Sequence, residues 1–222
     1  MKKLIGLAVM AGAATIATTG VAAAEGSVSA NVALTSNYVW RGITQSDGDA
    51  AIQGGFDYTN GMFYAGVWGS SVDDFGVSAS SELDLYVGVT PTLGPVTFDL
   101  GVVGYYYPGA SEDIDFNELK LGASISPTDA WSVGVTGYMS DDFLALGDDS
   151  LYLELGSSYA FSDAFSVSGA FGNQDVDGGG DYDTWNIGAT YAFHGFGLDL
   201  RYHEADIPGQ DEEISFTISR EL

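Results

Sequence analysis

From Ser27 to Leu222 the chain repeats one pattern: roughly ten residues alternating apolar with polar or small, then a break. A period of two is the mark of a strand with one greasy and one wet face. It predicts twelve strands, over 27–43, 51–59, 62–70, 80–91, 95–107, 115–126, 130–140, 150–161, 163–173, 182–193, 195–204 and 213–222. Each is close to the roughly 9–11 residues that a tilted membrane strand needs. In the eighth, Leu151, Leu153, Leu155, Tyr159 and Phe161 share a face, opposed by Tyr152, Glu154, Gly156, Ser158 and Ala160. In the eleventh, Phe196, Leu198, Leu200 and Tyr202 oppose Asp199, Arg201 and His203. A soluble sandwich alternates in the same way with its apolar face turned inward, so alternation alone does not choose.

The connections choose. Every second one is short: 59–61, 92–95, 127–129, Ser162 and 194–195. The others, 44–50, 71–79, 108–114, 141–149, 174–181 and 205–212, are longer and carry most of the acidic residues. In an antiparallel meander alternate connections lie at one end, so one end is tight and nearly uncharged and the other long and acidic. That asymmetry belongs to transmembrane barrels, with short periplasmic turns and long outer loops. The fold expected is all-β: an antiparallel transmembrane β-barrel of twelve strands with both termini periplasmic. Trp131, Phe161, Phe165, Phe193 and Phe196 beside the short turns, and Tyr38, Trp40, Tyr106, Phe171, Trp185 and Tyr202 toward the long loops, read as two interfacial belts. The last strand aligns Ile214, Phe216, Ile218 and Leu222, an alternating apolar terminus of the kind barrel-assembly machinery reads; Arg220 would snorkel at the periplasmic rim.

Residues 1–24 read as a leader: Lys2 and Lys3, then the apolar, small stretch Leu4 to Val21, then Ala22-Ala23-Ala24 as a cleavage site. The barrel is then residues 25–222, exported through the periplasm to a bacterial outer membrane, with lipid and lipopolysaccharide as its surroundings. There is no cysteine, which excludes disulfides and thiol chemistry. Two of the six basic residues fall in the leader, against 31 acidic ones, so nucleic acid is excluded as a partner. With 31 glycines and 13% aromatics, this acidic chain folds rather than staying disordered.

Ser36-Asn37-Tyr38-Val39-Trp40-Arg41-Gly42, Gly54-Gly55-Phe56-Asp57-Tyr58 and Phe63-Tyr64-Ala65-Gly66-Val67-Trp68 resemble the TorF family. These are porin-like proteobacterial outer-membrane proteins, also catalogued as of unknown function. Glu82-Leu83-Asp84-Leu85-Tyr86-Val87-Gly88 and Gly94-Pro95-Val96-Thr97-Phe98-Asp99 are similar to it too, and the resemblance is densest over 36–107. It implies an outer-membrane barrel and a pore role. It supplies no solute and no functional residues.

Inward parity gives the candidate pore lining: Asp57, Glu82, Asp84, Asp99, Glu118, Glu154 and Asp199, with Arg41, Lys120 and Arg201. Seven acids against three bases favour cations or neutral solutes by field alone. If the lumen is filled instead, Glu118 with Lys120, Asp199 with Arg201, and Arg41 with an acid such as Asp57 are the expected pairs. Inward glycines (Gly66, Gly88, Gly101, Gly122, Gly134, Gly156, Gly188) lean toward a hollow. Asp175, Asp177, Asp181 and Asp183 surround a flexible turn and are candidates for a divalent cation, though not at EF-hand spacing; solvated loop charge is the plainer reading. Of two histidines, His194 lies in a tight turn and His203 faces inward near Asp206. No nucleophile is singled out beside them, so no enzyme and no cofactor is expected. The expected function is a porin-like channel for passive diffusion of small hydrophilic solutes or ions, cation-preferring. The alternative is a non-conducting structural or adhesive surface barrel, with a barrel-embedded hydrolase behind it.

Overall fold

The computed structural model describes residues 26–222; the leader expected over 1–24 lies outside them. Twelve strands form the wall: β1 Ser27–Thr35, β2 Ala51–Asn60, β3 Phe63–Ser71, β4 Ser81–Val89, β5 Val96–Tyr106, β6 Phe116–Thr128, β7 Trp131–Ser140, β8 Ser150–Ala160, β9 Phe165–Val176, β10 Tyr182–Phe193, β11 Phe196–Ala205 and β12 Glu213–Glu221. Each pairs antiparallel with the next, and β1 pairs with both β2 and β12, so the sheet closes on itself. Closure removes every sheet edge, which a bilayer requires because lipid satisfies no backbone group.

The faces follow parity. On β8, Leu155 is 57% exposed while its neighbour Glu154 is 8% exposed. Leu151, Leu153, Ile187, Leu200, Ile214 and Phe216 share the exposed outer side. On β3, Trp68 and Ser70 are buried inside and Phe63 is exposed outside. Trp131, Phe161, Phe165, Phe193 and Phe196 ring the outside by the short turns, with Phe171 and Trp185 exposed near the long loops. The Arg220 guanidinium lies 4.9 Å over the Phe196 ring, the rim position its long stem permits.

The strand expected over 27–43 is corrected. It ends at Thr35, whose partner across the sheet is Ala51, and 36–50 leave the wall between them. Tyr38 and Trp40 therefore do not stand in an interfacial belt. They lie inside the barrel.

Candidate functional site

Residues 36–50 fold into a hairpin. Two short strands, Val39–Trp40 and Ile43–Thr44, pair around an Arg41-Gly42 turn with φ of 48° and 82°. Positive φ at both central residues marks the tight turn that matches strand twist. Gly42 adopts it freely, while Arg41 is strained there and is held by its contacts. The base is tied by Asn37, whose Oδ1 accepts from Thr44 Oγ1 at 2.7 Å and Ser46 Oγ at 3.2 Å. The Tyr38 N–H donates to Ser46 Oγ at 2.9 Å, and Asn37 Nδ2 donates to Glu213 Oε2 at 2.7 Å.

The tip crosses the lumen. Arg41 Nη2 donates to Glu118 Oε2 at 2.7 Å and Nη1 to Glu118 Oε1 at 2.9 Å, a planar two-bond pair from the hairpin to β6. Nη1 also donates to Gln174 Oε1 on β9 at 3.0 Å. The guanidinium carbon lies 4.2 Å from the Trp40 ring, 4.2 Å from Tyr152 on β8 and 5.0 Å from Tyr138 on β7. Trp40 packs on Tyr105, Phe116 and Phe143, the last brought in by loop 141–149. On the other side Tyr38 meets Trp68 edge-on at 5.5 Å, and its hydroxyl donates to Glu82 Oε1 on β4 at 3.4 Å. At Gly42 a Cβ would overlap Thr184 and Ala205 of β10 and β11. Wall strands on opposite sides thus grip one hairpin. Burial disfavours the Arg41 charge, but Glu118 and Tyr105 outweigh it and hold the guanidinium charged. Burial, then Glu82 and Asp84, push the Tyr38 and Tyr107 phenols above their usual range.

Deeper in the lumen the acids take partners that sequence spacing alone does not give. Lys120 Nζ lies 2.6 Å from Asp99, not on Glu118, and Tyr64 donates to the same Asp99 at 2.7 Å. Asp57 accepts from Tyr86 rather than pairing with Arg41. Arg201 does pair with Asp199, at 3.3 Å, and also donates to Asn186 and Ser168. Glu154 accepts from Tyr152 at 3.0 Å. Glu82 and Asp84 join none of the three ion pairs among the described residues.

The reading of inward glycines as empty space is also corrected. Gly66 faces Tyr86 across the sheet, Gly88 faces Tyr64 and Gly188 faces Arg201. In each case the long side chain lies where a Cβ would stand. A long polar residue paired in register with a glycine was the available signal. Only Gly156 of the seven has open space above it.

The inner face is not closed along its whole length. On β2, Ala51 and Gln53 are buried, Asp57 is half-buried and Thr59 is exposed; on β6, Glu118 and Lys120 are buried, Gly122 and Ser124 half-buried and Ser126 exposed. The barrel is filled at its long-loop end and open at its short-turn end.

The acidic turn does not form the suggested cation site. Asp181 caps the Val176 N–H at 2.9 Å, Asp183 accepts from Asn173, and among the described residues no three acidic or histidine side chains converge on a metal position. Asp175 and Asp183 sit at strand ends with outward parity, while Asp177 and Asp181 lie in the turn. His203 is buried with Nε2 3.0 Å from Ser215 Oγ, and no hydrogen bond ties Asp206 to it.

In shape the barrel is similar to the KdgM porin, with a TM-score of 0.62 at 7% identity over 88% of this chain and 98% of that one. It is also similar to the NanC porin (0.57, 10% identity, 87% and 98%) and to an outer-membrane channel from Pseudomonas putida F1 (0.52, 14% identity, 92% and 97%). At these identities the likeness is one of fold. No curated protein matches the chain in sequence. The family model that does match does not carry the TorF name. It spans residues 19–220, and the chain belongs to the family it describes, "Bacterial protein of unknown function (Gcw_chp)".

Proposed function

We propose that this chain is an outer-membrane channel for passive diffusion of small hydrophilic solutes, closed at its outer end by hairpin 36–50 and conducting when the hairpin leaves the lumen. The observation that carries this is the gradient along the wall: a polar interior open to solvent at the short-turn end and filled at the long-loop end. The exposed leucine and isoleucine belt supports lipid as the outer solvent. The porin-like shape supports export to the bacterial outer membrane and a transport role rather than catalysis.

Inward acids outnumber the three inward bases, which supports a preference for cations or neutral solutes. One solved KdgM structure is described as a complex with disordered oligogalacturonate, a polyanion. The charge of the present lumen argues against carrying that solute class over. The buried hairpin also favours a second reading, a permanently filled structural barrel.

Excision separates the two. Thr35 and Ala51 are direct partners across neighbouring strands, so a short turn can replace 36–50 without altering the wall. In planar bilayers the excised barrel is expected to give ohmic, cation-selective steps where the intact one is nearly silent. Silence from both favours the structural barrel.

A further inference from the structure

Glu82 and Asp84 occupy consecutive inward positions of β4, two residues apart on the same face of the strand. Glu82 is 4% exposed. Its Oε1 takes the Tyr38 hydroxyl, but Glu82 Oε2 and Asp84 Oδ1 are both buried with no donor. None of the three inward bases is paired with either: Arg41 is held on Glu118, Lys120 on Asp99 and Arg201 on Asp199. Two neighbouring buried carboxylates without a counter-charge are unstable when both are ionised, and either a shared proton or a bound cation removes the conflict.

We propose that Glu82 and Asp84 bind a hard divalent cation of the Mg2+ or Ca2+ class beneath the hairpin. The donors are all oxygen, which suits a hard ion, and two carboxylates match its charge. A hydrated ion held by one or two carboxylates keeps water for the rest of its shell. Through Tyr38 on Glu82, the ion would join the hairpin to the wall. None of this depends on conduction.

The aromatic surroundings supply the assay. In register Trp68 faces Asp84 from β3 and Tyr105 faces it from β5, so a terbium ion at this site is excited through those rings. Terbium titrated into the purified full-length barrel in detergent is expected to give saturable emission that Ca2+ or Mg2+ displaces. Glu82→Gln with Asp84→Asn should weaken binding by at least about tenfold, the loss typical even of outer-shell metal partners. Trp68→Phe should dim the emission at an unchanged half-saturation, and Asp175→Asn with Asp183→Asn should leave both unchanged. Should the double variant not fold, Glu82→Gln alone carries the same expectation. Undiminished binding in the carboxylate variants would overturn the proposal, as would an intact barrel giving no saturable emission, where the pair shares only a proton.

Discussion

Arg41 at the tip of the inward hairpin and Glu118 on the barrel wall, 77 residues apart in sequence, form a two-bond ion pair in which both side chains are almost fully buried. Such a pair is worth most as a latch: removing one partner leaves the other charge buried and uncompensated, at about 3–5 kcal/mol. Glu118→Gln should therefore free the hairpin without unfolding the wall. Trypsin cuts after arginine, and Arg41 is 8% exposed. Cleavage there should be slow in the intact barrel and on the order of a hundredfold faster in Glu118→Gln, following the lower bound of that cost. Equal rates would place the holding energy elsewhere.

The glycine–tyrosine pairing predicts a contrast between two chemically identical substitutions. Gly66→Ala drives a methyl into the Tyr86 ring and disturbs its bond to Asp57, at a cost of about 1–3 kcal/mol. Gly156→Ala meets nothing within 4 Å and should stay within about 0.5 kcal/mol of wild type. Urea midpoints of the two variants in lipid vesicles check this directly.

The wall was legible because its information is local. Leu151, Leu153 and Leu155 alternate with Tyr152 and Glu154, and the sorting of short and long connections placed the apolar side against lipid. The hairpin was not legible for the same reason. Asn37-Tyr38-Val39-Trp40 continues the alternation of β1 without a break, and only contacts with strands far along the chain turn it inward. Glu118 illustrates the limit: Lys120 is two residues away, yet its partner is Arg41. The family-like motif around Tyr38 and Arg41, read as a strand and part of a belt, is the piece that packs into the long-loop end of the lumen.

The assignment of the outer face has its own test. Leu155 lies midway along β8 and faces outward, so Leu155→Arg should cost about 2–4 kcal/mol of folding into vesicles. Ser158→Arg, on the half-buried inner face toward the open end, should fold nearly as well as wild type. A reversed order would invert the faces.

On the proposed function, a latched hairpin rather than a narrow wall stops flow through this barrel. Single-channel recording of full-length Glu118→Gln tests it most directly, because the hairpin is still present and only its latch is weakened. Openings are expected to be roughly a hundredfold more frequent than in wild type, each with the amplitude of the hairpin-excised barrel. Traces as silent as wild type, from a Glu118→Gln barrel whose Arg41 has become open to trypsin, would contradict it.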